Sequence, residues 1–154
     1  MAEKGKAKKY LDKFKFTIEI DGFTEAGFMK CDGLKANIEK IEHREGGALA
    51  AEKAPGLVSY DDITLERGAT DNLDMWDWFK TVYDAASDQG GADPSDYERN
   101  IIIHEHDRAH KIVRSWAVNR CWPVSFQPGT WDNSANEHTV EQLVLSVGSF
   151  EPLK

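Results

Sequence analysis

A strict alternation of apolar and polar side chains runs through residues 14–20, FKFTIEI. A period of two is typical of a β-strand, and it places Phe14, Phe16 and Ile18 on the same face. We therefore expect these three side chains to belong to the structural core. Asp21-Gly22 follows directly and predicts a turn.

Two further strands are predicted nearby. Residues 27–31 form a short apolar segment that ends at Asp32-Gly33, and residues 36–42 form a third strand with poorer alternation. Because each of the first two strands is followed by an Asp-Gly pair, the spacing favours a compact antiparallel meander.

Residues 43–62, HREGGALAAEKAPGLVSYDD, are predicted to form an excursion between this third strand and a strand at 63–67. A connection of this length is uncommon in a compact domain unless it is functional, so we interpret it as an extended arm. A plain surface loop remains the alternative at this stage.

One helix is predicted, over residues 72–86, with Thr70 or Asp71 as its N-cap. Trp76 and Phe79 belong to an apolar stripe at helical spacing, and we expect this stripe to pack against a sheet. The other members of the stripe are Met75, Val82, Tyr83 and Ala86. The polar and acidic segment that follows, within 84–98, is predicted to be a loop whose contacts the sequence does not specify.

The second half of the chain is rich in β-branched and aromatic residues separated by turn signals. Strands are predicted at 100–105, 112–119, 122–127 and 139–147, with a hairpin turn at 107–110. The fold class is therefore mainly β: a small β-barrel or β-sandwich of about seven or eight strands with one flanking helix.

Length and charge indicate one domain with a distinct leader. The chain has 154 residues and a formal net charge of -8, but residues 1–15 contain six Lys against Glu3 and Asp12. We therefore divide the chain into a basic leader, 1–13, and a single β domain, 14–154. The acidic remainder disfavours direct recognition of nucleic acid, since such binding needs Lys and Arg against phosphates.

No targeting or membrane signal is recognisable in the sequence. The basic start lacks a following apolar segment, and no stretch of about 18 apolar residues occurs. Two isolated cysteines do not indicate a disulfide framework. We expect synthesis in the cytoplasm without a signal peptide and no membrane span.

Candidate catalytic chemistry is weak. His104 and His106 would share a strand face, as zinc ligands can, but no third ligand is evident. Asp61, Asp62 and Glu66 are close in sequence, which is expected by chance among 27 acidic residues. Nucleophile-elbow, P-loop and dinucleotide motifs do not occur. We predict that the protein is not an enzyme and needs no cofactor or metal.

Several segments, taken in order, resemble the contractile phage tail tube protein family, which includes the inner tubes of extracellular contractile injection systems. The resemblance covers nearly the whole chain. The matching pieces are FKFTIEIDG (14–22), GFMKCDGL (27–34), EHREGG (42–47), APG (54–56), ITLERG (63–68), LDMWDW (73–78), SWAVNRCWP (115–123) and VEQL (140–143).

The resemblance implies a structural subunit whose hexameric rings stack into a tube around a cargo lumen. It also implies a surrounding sheath, a baseplate and a tube initiator as partners, within a phage-tail-like particle that is released by lysis or stays cytoplasmic. Phage, tailocin and extracellular injection systems are not distinguished, nor are the lumen-facing residues or the cargo. The sequence leaves open a tube-initiator or baseplate hub protein of the same fold. It also leaves open a monomeric β-sandwich binding module that uses Trp131 or Trp122.

Inter-subunit contacts are expected in the arm and in the leader. Glycine permits positive φ and close backbone approach, and proline stiffens the chain. The expected assembly residues are Arg44, Glu45, Gly46, Gly47, Pro55, Gly56, Lys8 and Lys9. The expected structural core is Phe14, Phe16, Ile18, Trp76, Phe79, Trp116 and Trp122.

Overall fold

The structure, a computed structural model, describes residues 15–23, 27–47, 49–87 and 93–153. Within these residues the chain forms nine β-strands, one α-helix and a short 3₁₀ turn at Pro94–Asp96. In chain order the elements are β1 (Lys15–Ile20), β2 (Phe28–Asp32), β3 (Ala36–His43), β4 (Glu52–Tyr60), β5 (Ile63–Gly68), α1 (Asp74–Ser87), β6 (Arg99–His106), β7 (Ile112–Gln127), β8 (Val140–Ser146) and β9 (Ser149–Leu153). The prediction of a mainly β fold with one helix is confirmed, and the strands number nine rather than seven or eight.

Seven strands form one antiparallel sheet in the order β1-β6-β7-β8-β5-β2, with β9 added beside β7. The predicted meander is wrong, since β1 pairs with β6 and β2 pairs with β5. Both segments form strands as predicted, but which strands pair is determined by the burial of their apolar faces against distant parts of the chain. Local turn signals do not determine that choice.

The 16-residue strand β7 connects the two halves of this sheet. Its first half pairs with β6 and β9, and its second half pairs with β8. The sequence analysis divided it into two strands, and the structure places Arg120, with a φ of 54°, between those predicted segments. Strand β9 was not predicted. It returns along β7 after Gly148, where an added Cβ would lie 2.8 Å from Cβ of Arg120.

The core lies where the two halves of the sheet and α1 meet. Ile18 and Ile101 come from one half, Leu65 and Leu143 from the other, and Trp78 from the helix; all five are fully buried. At about 25 cal/mol per Å² of apolar surface removed from water, such side chains provide most of the driving force for folding. The helix thus closes one side of a barrel-like sheet.

The start of the helix and the side that it turns toward the sheet both differ from the prediction. The first helical hydrogen bond runs from the backbone N–H of Asp77 to the Leu73 oxygen, so Leu73 occupies the N-cap position rather than Thr70 or Asp71. The preceding residue, Asn72, accepts a hydrogen bond from the Asp74 backbone N–H through Oδ1 at 2.8 Å. Trp76 was assigned to the core, and this is wrong: its side chain is 40% exposed, whereas Trp78 is completely buried. Two apolar stripes lie side by side on α1, and the sheet covers the one that contains Met75 and Trp78.

The predicted excursion at 43–62 is largely regular structure. Residues Glu52–Tyr60 form β4, which pairs with β3 in a separate two-stranded antiparallel sheet. The sequence pattern concealed this strand because Pro55 and Gly56 interrupt it, and both are depleted in strand interiors. The structure accommodates them at a register shift, where Ile38 faces Val58 but Lys40 faces Pro55.

Candidate assembly surfaces

The hairpin formed by β3 and β4 has few contacts with the rest of the chain. Its two strands pair only with each other among the described residues. At its base, Asn37 Nδ2 donates to Asp61 Oδ1 at 2.8 Å, and the Tyr60 ring packs edge-on against Phe150. A two-stranded hairpin is only marginally stable alone in water. It therefore needs additional packing.

Apolar side chains are exposed on both faces of this hairpin. Ile38 and Ile41 are separated by three positions on β3, so they point to opposite faces. Ile38 is 63% exposed and Leu57 is 78% exposed, and Val58 and Ile41 are also about half exposed or more. Strands with apolar residues at both parities are typical of sheets that are covered on both faces.

The predicted assembly residues of the arm occupy its turn and its bulge. Arg44, Glu45, Gly46 and Gly47 are exposed between the strands, and Gly47 has a φ of 84°. Pro55 and Gly56 lie instead within β4. At Gly56 an added Cβ would lie 3.0 Å from the Ile41 side chain and 3.2 Å from the backbone oxygen of Glu39, so a larger residue there requires these neighbours to move by a few tenths of an ångström. Lys8, Lys9 and Phe14 lie outside the described residues.

The other expected core residues differ in burial. Ile18 is fully buried, whereas Phe16 and Trp116 are partly buried and pack against the core. Trp122 is also partly buried and contacts the ring of Tyr97 edge-on. Phe79 is partly buried at the boundary of the helix face, where its ring packs against the rings of Trp76 and Phe126.

A cleft that the sequence analysis missed separates β1 from β2, the two outer strands of the seven-stranded sheet. Its volume is about 640 Å³, and Phe16, Met29, Leu34 and Trp116 contribute its apolar lining. Within the described part of the chain, each of these two strands is paired on one side only. Because unpaired strand edges invite pairing with another chain, this cleft is a second candidate assembly surface. The sequence contained no signal for it, since it arises from strand order.

The two histidines form polar contacts within the sheet. His104 Nδ1 lies 2.6 Å from Ser115 Oγ, and its Nε2 lies 3.5 Å from Glu19 Oε1. His106 Nε2 lies 2.9 Å from Thr17 Oγ1. Within 15–23, 27–47, 49–87 and 93–153, no group of three His, Cys, Asp or Glu side chains is arranged to hold a metal ion.

The remaining candidate groups are separated. Asp61 binds Asn37 at the base of the hairpin, whereas Glu66 lies within β5, opposite Gln142 of β8. Trp131 is 72% exposed in the connection between β7 and β8. A search of the described helices finds none that is long and apolar enough to cross a membrane.

The comparisons with known proteins agree with this architecture. A family model described as "T4-like virus tail tube protein gp19" matches residues 12–151. No curated protein matches the chain in a sequence search.

Three solved structures have a similar fold. The cap of the anti-feeding prophage (AFP tube terminating cap) superimposes with a TM-score of 0.81 at 22% identity, covering 99% of this chain and 96% of that one. A chain of the PVC sheath-tube complex, from an extracellular contractile injection system in the extended state, gives 0.78 at 20% identity, covering 94% and 91%. Hcp1 from Flavobacterium johnsoniae gives 0.51 at 10% identity, covering 90% and 94%.

Proposed function

Because the chain belongs to the family of the T4-like virus tail tube protein gp19, we propose that it builds the inner tube of a contractile injection system. Its copies associate into hexameric rings, and the rings stack around a central lumen through which cargo passes. A sheath surrounds this tube, and a baseplate with a tube initiator lies at its end. The role is structural, and we expect no catalytic activity and no cofactor.

The observation that carries this proposal is the exposed β3–β4 hairpin. Its two faces expose apolar residues, including Ile38 and Leu57, and such exposure in a monomer favours aggregation. In an assembly, neighbouring copies would cover them, and the added packing would stabilise the hairpin. The turn formed by residues 44–47 would then contact a neighbouring subunit.

The free edges of β1 and β2 support the same role. Main-chain groups of an edge strand can pair with a strand from another chain, and alternate side chains then enter the adjoining groove. A heterologous contact of this kind closes into a ring when its rotation permits. The cleft between the two strands provides an apolar groove next to both edges.

Lys8 and Lys9 of the leader are also proposed as assembly residues. The leader is basic and the remainder of the chain is acidic, so an electrostatic contact between copies is favourable. Truncation of residues 1–12 should therefore reduce tube length and yield.

Electron microscopy and sedimentation of the purified full-length protein test the proposed function. We expect ring-shaped particles with a central hole that stack into tubes. Leu57→Lys should prevent assembly without unfolding the chain, since Leu57 is mostly exposed. The matched control is Ala135→Lys, which adds the same charge at an exposed position in the β7–β8 connection. Monomers at every concentration of the unmodified protein would contradict the proposal.

A second candidate is a subunit that ends or starts the tube. The similarity to the AFP tube terminating cap favours a terminator of the same fold, and a tube initiator has equivalent requirements. Such a subunit would form single rings that do not stack into long tubes. Tube length in the same micrographs therefore separates the candidates.

A further inference from the structure

A third apolar surface, distinct from the hairpin and the cleft, lies on α1 and β7. The rings of Trp76, Phe79 and Phe126 contact each other, with centroid separations of 5.9, 6.0 and 6.2 Å. Leu73 and Tyr83 are exposed on the same side of the helix, at the spacing of whole turns from Trp76. We call these five residues the aromatic helix surface. Leu73, Trp76 and Tyr83 are exposed, whereas Phe79 and Phe126 are partly buried beside them. Exposed apolar side chains that are grouped in this way are typical of binding surfaces.

Acidic side chains outnumber basic ones in the segments that carry and follow this surface. The described segments 69–87 and 93–99 contain seven carboxylates but only two basic residues, Lys80 and Arg99. Asp77 and Asp84 are exposed and lie one position after Trp76 and Tyr83, at the margin of the surface, while the exposed Lys80 lies one turn after Trp76, between it and Tyr83. The surface therefore fits a partner segment that combines lysines with apolar residues.

The chain itself contains such a segment. The leader, residues 1–13, reads MAEKGKAKKYLDK, and its lysines are accompanied by Tyr10 and Leu11. Few other segments are as basic, because the remainder of the chain is strongly acidic. The leader complements the aromatic helix surface in charge and in apolar content.

β1 begins at the end of the sheet that lies farther from Trp78 of α1. Lys15 lies opposite His106, at one end of the β1–β6 pair. At the other end, Arg99 donates to the backbone oxygen of Asp21 at 2.9 Å and lies over the ring of Trp78 in α1. An eight-residue strand separates these ends by about 25 Å. Lys15, the first described residue, thus lies at the end of the sheet opposite Trp78.

We propose that the aromatic helix surface of one subunit binds the basic leader of a second copy in a head-to-tail contact. Thirteen extended residues reach about 40 Å, a length that spans the distance to a neighbouring subunit and also the distance back to the leader's own helix, so the experiment must separate the two contacts. The inference rests on the proposed function, since it requires copies that stack with the same polarity. It adds a named acceptor for the leader, separate from the hairpin and from the cleft.

A charge-reversal pair tests this contact in the full-length protein. The first variant carries Lys4→Glu, Lys6→Glu, Lys8→Glu and Lys9→Glu. The second carries Asp77→Lys and Asp84→Lys. Each variant alone juxtaposes like charges, so the fraction that sediments as tubes should fall about tenfold relative to the unmodified protein. Mixing the two variants juxtaposes opposite charges at every contact, and assembly should recover.

Recovery on mixing requires that the leader binds another copy, because a leader that bound its own helix would remain mismatched. The control carries Glu137→Lys and Glu151→Lys, which make the same charge change at exposed positions outside the surface. It should assemble normally and should not restore the first variant. Circular dichroism establishes that every variant is folded.

Other results overturn the inference. Either variant assembling like the unmodified protein, or a mixture that stays unassembled, would mean that the leader does not bind this surface. In the second case the surface would be available to a different protein, such as a surrounding sheath. Failure of the unmodified protein to assemble would instead contradict the proposed function itself, so the two failures are distinguishable.

Discussion

Arg67 of β5 and Glu141 of β8 lie directly opposite each other and form a buried ion pair. Both Nε and Nη2 of Arg67 donate to Glu141 Oε1, at 3.1 and 2.9 Å. The guanidinium also lies 5.8 Å from the ring centroid of Phe23 and 5.7 Å from that of Phe28. Its Nη1 is buried without a hydrogen-bond partner among the described residues. The charge is therefore held by one carboxylate and two aromatic rings.

Removing one partner of this pair should be strongly destabilising. Arg67→Met leaves the Glu141 carboxylate buried without its counter-charge, and the free energy of unfolding should fall by about 3–5 kcal/mol. The double variant Arg67→Met with Glu141→Leu should recover most of that loss, since no buried charge remains. Urea denaturation of the three proteins measures both effects. Equal stability of the single and double variants would contradict this account.

The two tryptophans of α1 should differ sharply in their contribution to stability. Trp78 is fully buried and donates from Nε1 to the backbone oxygen of Tyr97 at 2.7 Å, so Trp78→Ala should cost about 3–5 kcal/mol. Trp76→Ala removes a side chain that is already partly in water and should cost about 1–2 kcal/mol. Thermal denaturation of both variants under identical conditions tests the ranking. A larger loss for Trp76 would mean that the helix faces the sheet differently.

Glu105 should give a pH-dependent contribution to stability. Its carboxylate accepts hydrogen bonds from Arg114, which principally lowers the pKa of Glu105, and from Trp116 Nε1 at 3.2 Å. Because the pKa of Glu105 is lower in the folded state than in the unfolded state, the ionised carboxylate stabilises the fold at any pH above the unfolded-state pKa. This contribution is lost as the pH falls through the folded-state pKa. Because the pair is partly exposed, Glu105→Gln should cost only about 0.5–1 kcal/mol at pH 7.

The measurement is the difference in unfolding free energy between Glu105→Gln and the unmodified protein as a function of pH. That difference should shrink as the pH falls below about 4. In this range the Glu105 carboxylate is protonated in the unfolded chain and becomes protonated in the folded chain as well. A difference that persists unchanged at pH 2 would mean that ionisation of Glu105 is irrelevant.

Both cysteines should react slowly in the folded protein. Burial raises the pKa of the Cys31 thiol to about 11, with Asp32 adding to the effect, and burial raises that of Cys121 to about 12. At pH 8 almost no thiolate is therefore present, and thiolate is the reactive form. Mass spectrometry after iodoacetamide treatment should detect little modification of the native chain. Guanidinium-unfolded protein is the control and should be modified at both positions.

Local patterns were sufficient for much of the fold. Alternation over residues 14–20 predicted β1, and turn chemistry at 107–110 predicted the β6–β7 turn, in which His110 has a φ of 62°. The helix was predicted to within a few residues. In each case the signal lies in neighbouring residues, whose spacing determines which side chains share a face.

The candidate assembly surfaces were harder to predict. The sequence indicated that residues 43–62 were more than an idle loop, but β4 was concealed by Pro55 and Gly56. The cleft between β1 and β2 had no sequence signal, because it exists only once the strand order is known. Trp76 was mistaken for core, because the predicted helical stripe included Trp76 and left out Trp78, which is the buried tryptophan.

The sequence by itself determined the β-rich class, the single helix and the charge contrast between the leader and the rest of the chain. Only the tertiary structure decided that β1 pairs with β6, that Trp78 faces inward while Trp76 faces outward, and that Arg67 meets Glu141. Periodicity is a property of adjacent residues, whereas strand order and helix orientation depend on free energies summed over contacts between distant segments. Those contacts are specified only when the whole core packs together.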